Sequence, residues 1–421
     1  MAIPRLGEPR FPSPVRRTVP EGLLVPEHIV RDPLRPVPPS DVCFELAGPR
    51  DRLYFDPADT RAGVVTCGGL CPGLNDVIRS LFLELHFGYG VREVLGFRGG
   101  YQGLDPSVGA EPIVLTPAVV EGIHQLGGTV LGTSRGPVDI GRAVDALVRR
   151  RVNVLFTIGG DGTQRGANAL FAEAARRGHA LAVVGIPKTV DNDVPFVTRS
   201  FGYLTAVEEA ARVLDRAHTE AKSVANGVAL VKLMGRHAGF IAVGATVASQ
   251  DVTFTLIPEV PFALEGPRGL LAALERRIRD RGHALVVVAE GAGQEVLADR
   301  AAARDASGNV KLWDVGPYLR GRIEAHCAAA GLPIVMRYID PSYFVRSSPA
   351  NAADSILCDQ FARHAVHAAM AGCTGIVIGQ VHDLFVHVPI DLLTSRTKRV
   401  DETGLAWRAV LAATGQAERF E

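Results

Sequence analysis

Short runs of Val, Ile and Leu without polar alternation recur along the chain, separated by longer segments of mixed polar and apolar residues. A strand that is apolar at consecutive positions has both faces covered, and helices between such strands supply parallel crossovers. AGVVTCGGLCPGLNDVIRSLFLEL, from Ala62, reads as strand, Gly-rich turn and helix, and VNVLFTIGGDGTQRGANALFAEAARR repeats that plan from Val152. HALAVVGIPKTVDNDV is a third apolar run ending in a polar loop, GVALVKLMGRHAGFIAVGATVA a fourth and HALVVVAEGAGQE a fifth. TGIVIGQVHDLFVHVPI supplies one or two further strands. The pattern predicts an α/β protein with doubly wound, mainly parallel sheets.

The first part of the chain breaks this pattern. Residues 1 to about 40 carry ten prolines with Arg interspersed, which predicts an extended arm draped over the body or over a neighbouring subunit. At 421 residues the chain has room for two or three domain-sized units. Lys plus Arg equals Asp plus Glu at 45 each, so no net field draws it to nucleic acid or to an anionic membrane. Of the six cysteines, only Cys67 and Cys71 are close, and no second pair completes a zinc tetrad. They read as reduced, buried thiols of an intracellular protein. No apolar run reaches transmembrane length and no signal-peptide core is present, so the expected location is the cytoplasm.

In open α/β sheets, ligands bind beyond the carboxyl ends of the strands, and several apolar runs open there into unusual loops. CGGLCPGLN, Cys67 to Asn75, lets the backbone approach a ligand and offers helix N–H groups to phosphate; a tight strand-to-helix turn accounts for it equally well. GGDGTQRGA, Gly159 to Ala167, again aims amides at an anion. A carboxylate beside phosphates requires a cation between them, so Asp161 implies Mg²⁺, the alternative being an N-cap. No GxxxxGK[ST] is present, which excludes a P-loop.

GIPKTVDNDV, Gly185 to Val194, sets Asp191 and Asp193 two residues apart, which in extended backbone places both on one side. One carboxylate can accept a substrate proton while the other helps hold a metal; an Asx-turn is the bland alternative, and the position at a strand end favours chemistry. In KLMGRHAGF, Lys232 to Phe240, Arg236 is expected at a helix start, where a guanidinium can stabilise a phosphoryl group in transit. His237 beside it reads as a structural hydrogen-bonding residue. Arg135, in the Gly-flanked turn GTSRGP, suits a terminal phosphate or is an ordinary solvated Arg. His382 and His387 read as core or surface histidines, and Lys398 with Arg399 as a solvated charge cluster.

Taken in order, CGGLCPGLN, GGTVLGTSRG, GGDGTQRGA, PKTVDNDV, SFGYLTA and MGRHAGF resemble the phosphofructokinase family, from about Ala62 to about Ile390. GGDGT alone is shared with NAD kinases and lipid kinases; the ordered set is specific. The resemblance implies two Rossmann-like domains in the phosphofructokinase fold and phosphoryl transfer to the 1-hydroxyl of fructose 6-phosphate. Asp191 then matches the general base, with Thr189 and Asp193 flanking it, and Asp161 the Mg²⁺-associated carboxylate. Gly69, Arg135, Gly162, Thr163, Gly166 and Lys188 match positions around the phosphoryl donor. Met234, Gly235 and Arg236 match the loop that holds the sugar and the transition state, Glu290 the acid that hydrogen-bonds the sugar, and Tyr343 and Arg346 the holders of its phosphate. Thr189, Arg135 and Arg236 join Asp191 as catalytic candidates.

By the same resemblance the donor domain comprises residues 61–202 and about 341–398, and the sugar domain 203–340. The Pro-rich arm is 1–60 and a C-terminal tail 399–421, and the implied assembly is a homotetramer. Gly162 leaves room for a nucleotide where pyrophosphate users carry Asp, whereas Lys188 is usual in pyrophosphate users. The mixed pair resembles the long-chain ATP-dependent branch known from plants and trypanosomatids, so ATP is the expected donor. A pyrophosphate-dependent phosphotransferase, a kinase of a related sugar phosphate and a catalytically silent subunit are the alternatives; intact Asp161, Asp191 and Arg236 oppose the last. The chain departs from short bacterial enzymes at Gly227, where they place an Arg, and at DPSY, Asp340 to Tyr343, where they have QRGG. Sugar-phosphate recognition is expected to be rebuilt around those positions.

Overall fold

Runs of buried positions become strands in two separate sheets. The structure, a computed structural model, describes residues 3–30, 42–297, 312–393 and 396–421. The chain divides into two compact units: Met1–Thr189, Val194–Gly202 and Ser347–Arg396 form unit one, and Val190–Asp193, Tyr203–Arg346 and Thr397–Glu421 form unit two. Unit one contains β1 (Phe11–Pro12), β2 (Leu24–Pro26), β3 (Cys43–Leu46), β4 (Arg52–Leu53), β5 (Arg61–Thr66), β6 (Glu93–Phe97), β7 (Ile113–Val114), β8 (Val154–Gly159) and β9 (Ala182–Pro187). Unit two contributes β10 (Gly227–Leu233), β11 (Phe254–Leu256), β12 (His283–Ala289) and β13 (Val335–Ile339), after which β14 (Ile376–Val381) and β15 (Leu384–Pro389) return to unit one.

The unit-one sheet runs β2-β3-β15-β14-β9-β8-β5-β6-β7. Its centre, β14 through β6, is parallel, and antiparallel strands close both edges. Every residue of β8 and β9 is buried, as an unalternated apolar run requires. Thr66 pairs with Ile158 and Gly159 with Pro187, so β5, β8 and β9 end side by side and release their loops together. In unit two all four strands, β11-β12-β10-β13, are parallel. Leu233 pairs with Ala289 and Val231 with Ile339, which again aligns three strand ends.

The N-terminal arm is more than a drape. Its described part builds β2 and β3 onto the edge of the unit-one sheet, through pairs such as Val386↔Leu46. Cys43–Leu46 contains no proline and can add to an edge, whereas the prolines at 33, 36, 38 and 39 lie outside the described residues. Charge anchors the join: Glu45 accepts from Arg5 at 2.8 and 3.0 Å and from the buried Arg50 at 2.8 Å. Residues 399–421 likewise pack into unit two, where the helix Leu405–Thr414 lies against Phe240–Ser249 and Phe420 meets Phe254 edge to face at 5.2 Å. β14 and β15 form a hairpin whose turn, His382 and Asp383, has positive φ at both residues, matching strand twist. His387 is buried within β15 and His382 is exposed.

The helix Ala352–Met370 packs on Leu74–Leu83 and carries the buried His367 and the partly buried His364 into unit one. Burial lowers His364 to about 4 and His367 to about 3, with nearby His387 and Arg50 adding to the first. His364 stacks on Phe385 with ring centroids 4.5 Å apart, and His367 Nδ1 lies 2.9 Å from the Tyr89 hydroxyl. Both are neutral in the fold, so their stabilising contribution is complete above the unfolded value near 6.5 and is lost as pH falls toward the folded values. For His364 the loss between pH 7 and pH 5 is on the order of 2 kcal/mol. His364→Phe, which keeps the stacking, is expected to hold its urea midpoint better than the parent between pH 7 and 5. Parallel losses in the two proteins would remove His364 from the acid sensitivity.

Candidate active site

In unit one, the loops after β5 and β9 and the Gly132–Gly136 turn are tied to one another by backbone and cationic contacts. Gly68 N–H donates to Ser134 O at 3.2 Å, and Thr133 Oγ1 donates to Gly68 O at 2.7 Å. Lys188, buried just past β9, donates from Nζ to Gly69 O at 2.7 Å. The Arg135 guanidinium lies close over Gly69, where an added Cβ would sit 3.2 Å from Nη2. Gly69, Arg135 and Lys188 are thus brought together. Burial pushes the neighbouring Cys67 thiol up to about 12, which leaves it inert as a nucleophile.

The GGDGT loop follows β8. The helix Asp161–Arg176 has Gly160 at its N-cap with no side-chain cap, so Asp161 is not the cap; it is exposed in the first turn. Gly162 is also exposed, and a Cβ there would meet nothing nearer than the Arg165 guanidinium at 3.8 Å. Among the described residues nothing requires glycine at this position. Gly166 is different: a Cβ would come within 2.5 Å of the Tyr101 ring, whose hydroxyl donates to Thr163 O at 2.6 Å. The fold itself demands glycine at 166, and Tyr101, which sequence reasoning passes over, is the cause. Thr189 follows Lys188 past β9, its carbonyl accepting from Ser200 Oγ at 2.8 Å.

In unit two, Asp191 and Asp193 depart from the expected extended backbone. The chain bends at Val190 and Asp191, and Asn192 is left-handed with φ 55°. Strand alternation therefore does not position the two carboxylates; a local turn at an Asn, the residue type that tolerates this conformation, does. Asp191 Oδ2 faces the Arg236 N–H at 3.5 Å, which brings the acid and the guanidine residue into one site. Asp193 O accepts from Lys398 N–H at 2.9 Å, and Lys398 Nζ lies 5.0 Å over the Phe240 ring. Lys398 is a partly buried strut rather than a member of a solvated cluster.

Arg236 also sits elsewhere than expected. The helix begins at Phe240 behind Gly239, and Arg236 lies in a bend between it and β10. Glu259 holds the helix start: Gly239 N–H lies 3.1 Å from both of its oxygens, and Val400 N–H donates to Oε1 at 2.8 Å. A carboxylate at a helix N-terminus has the favourable dipole sign, and it leaves the preceding loop free to follow its own path. Met234 is partly buried, Gly235 has φ 129°, and Gly235 O accepts from Gly291 N–H at 3.0 Å, coupling this loop to that of Glu290. His237 is exposed.

Glu290 follows β12, partly buried. Burial raises its carboxyl above the usual range, Lys232, Arg236 and Arg346 pull it down, and Asp340 pushes it up. Tyr343 is exposed on the short helix Ser342–Ser347, with the Arg346 guanidinium 4.8 Å over its ring. Sequence reasoning misses Lys232, a buried cation in a strand of otherwise uncharged residues, which donates to Asp314 at 2.9 Å and pairs with Asp340 at 2.8 Å. Its signal is the charge itself, in a run that is buried at all seven positions. Among the described residues no group of three or more His, Cys, Asp or Glu forms a metal cage. Mg²⁺ commonly uses one or two carboxylates with substrate phosphates and waters, which an exposed Asp161 in the first turn of a helix fits.

Among the described residues no helix is long and apolar enough to cross a membrane. The Phosphofructokinase family profile matches residues 61–369. An ATP-dependent 6-phosphofructokinase of Amycolatopsis methanolica is 51% identical over 90% of this chain and 83% of its own length. One from Trypanosoma brucei brucei is 46% identical over 90% and 78%, and ATP-dependent 6-phosphofructokinase 1 of Arabidopsis thaliana is 44% identical over 97% and 88%. In three dimensions, a pyrophosphate-dependent phosphofructokinase of Marinobacter aquaeolei, 22% identical, superposes with a TM-score of 0.70 over 86% of this chain and 93% of that one. Sequence, fold and strand-end loops agree: the chain belongs to the phosphofructokinase family.

Proposed function

We propose that this chain is an ATP-dependent 6-phosphofructokinase, transferring the γ-phosphoryl of ATP to the 1-hydroxyl of fructose 6-phosphate to give fructose 1,6-bisphosphate. The observation that carries the choice of donor is Gly162, whose missing side chain serves no contact within the fold. A small residue in the first turn of the phosphate-facing helix leaves space for the rest of a nucleotide beyond the transferred groups. Lys188, which points toward pyrophosphate when read as a motif letter, is held at the Gly69 carbonyl and braces the loop. The names of the relatives at 44–51% identity support the same reading.

Asp191 takes the proton of the sugar hydroxyl as that oxygen attacks the γ-phosphorus, while Arg236 and Arg135 neutralise charge on the phosphoryl group. Gly69, Thr163 and Gly166 shape the donor side, Thr189 and Asp193 flank the base, and Met234 and Gly235 carry Arg236. Asp161 would hold Mg²⁺ together with donor oxygens, and the ion's charge would offset that of the triphosphate. Glu290 accepts a hydrogen bond from a sugar hydroxyl, and Arg346 with Tyr343 takes the 6-phosphate. Family resemblance supports a homotetramer, and the reduced cysteines support a cytoplasmic location; two Arabidopsis relatives carry the designation chloroplastic.

Asp191→Asn keeps the shape and removes the base. Its kcat for fructose 1,6-bisphosphate formation is expected to fall on the order of 10²–10⁴-fold with the sugar KM little changed. Retained turnover would sink the base assignment. Gly162→Asp enters open space and is expected to leave the melting temperature unmoved while kcat/KM for ATP falls at least about a hundredfold. The parent, assayed with ATP and with pyrophosphate in parallel, is expected to turn over with ATP; turnover with pyrophosphate alone overturns the donor.

A further inference from the structure

Three neighbouring parallel strands of unit two, β12, β10 and β13, end together, and each strand end leads into a segment assigned above to the sugar: Glu290, Met234–Arg236 and Asp340–Arg346. Lys232 lies in the middle strand, one residue beyond the Val231↔Ile339 pair. It is 9% exposed, and its Nζ is 2.9 Å from Asp314 Oδ1 and 2.8 Å from Asp340 Oδ2. One carboxylate caps a helix and the other stands two residues ahead of one. Asp314 accepts from Gly316 N–H at 3.3 Å and caps Val315–Ala329. Asp340 accepts from Ser342 N–H at 3.1 Å and Ser342 Oγ at 2.5 Å, ahead of the helix that carries Tyr343 and Arg346.

Packing alone does not call for a charge here, since a methionine of similar length would fill a position buried in the strand. What the cation adds is orientation: it holds one oxygen of Asp340, whose other oxygen accepts from the first residue of the helix Ser342–Ser347. Asp340 is also the first residue of DPSY, the stretch that stands in place of the short bacterial signature.

Resting on the function proposed above, we infer that Lys232 is a positioning residue for the sugar phosphate, tethering Asp340 so that Tyr343 and Arg346 stand at a fixed place beside Glu290. Lys232 touches no reacting atom; it acts through Asp340. Charge follows the geometry. Burial opposes the ammonium, yet its two carboxylate partners hold it well above its usual range, and it in turn works against the burial that raises Glu290.

Lys232→Met removes the charge at similar length. The expected result is a KM for fructose 6-phosphate raised at least about tenfold, kcat within about threefold and an unchanged KM for ATP. The acid limb of kcat/KM for the sugar moves to higher pH, because Glu290 keeps Arg236, Arg346 and Asp340 as neighbours but loses Lys232. Lys232→Arg restores most of the sugar affinity. Asp340→Asn, which leaves the Lys232–Asp314 pair, reproduces the sugar KM effect and serves if the methionine variant does not fold. A lower melting temperature with sugar KM and pH limb unmoved would mean a merely structural lysine and overturns the inference. Hydrogen exchange of residues 340–346 reads the tether without any substrate: faster exchange in Lys232→Met is expected, and unchanged exchange overturns it. A parent inactive on fructose 6-phosphate with either donor would defeat the proposed function, while the exchange measurement would still decide the tether.

Discussion

A parallel strand covered on both faces meets solvent only at its ends, and this constraint shapes the molecule. With β8, β9 and β10 buried at every position, polar groups other than Lys232, which lies near the end of β10, collect mainly where the strands stop. Register then decides which residues become neighbours. Because Thr66, Ile158, Gly159 and Pro187 are aligned, the loops beginning at Cys67, Gly160 and Lys188 emerge together. In unit two the same alignment gathers Met234, Glu290 and Asp340 from distant parts of the chain.

Two lysines show how strand-end loops are held. Lys188 serves a backbone carbonyl and Lys232 serves two side-chain carboxylates, and each is buried. A loop of glycines has little of its own to resist motion, so a buried cation beneath it supplies direction that its sequence lacks. Arginines occupy the other role: Arg135 is exposed over Gly69 and Arg236 stands in a bend, where a forked guanidinium can meet phosphate oxygens.

Much of this was legible in the sequence. Apolar runs announce doubly covered strands, and the order of Gly-rich loops identifies the family. Local geometry was harder to read. Alternation places Asp191 and Asp193 on one side only if the chain is extended, and a left-handed Asn192 removes that premise. Arg236 reads as a helix start because the apolar helix follows closely, yet Gly239 and Glu259 make the start. Lys232 could be seen as unusual but its partners could not, since Asp314 lies 82 residues away. The glycines look alike as letters; only packing separates Gly166, pressed by Tyr101, from Gly162, pressed by nothing in the fold.

The interleaving of the two units has a consequence for synthesis. β14, which completes the parallel centre of the unit-one sheet beside β9, is made only after all four strands of unit two. While those strands emerge from the ribosome, β9 is a nascent edge with unpaired backbone and apolar side chains on both faces. Unit one is therefore begun first and closed only after the strands of unit two have been made. During the interval its open edge is a natural target for chaperones, and for mispairing with another nascent copy.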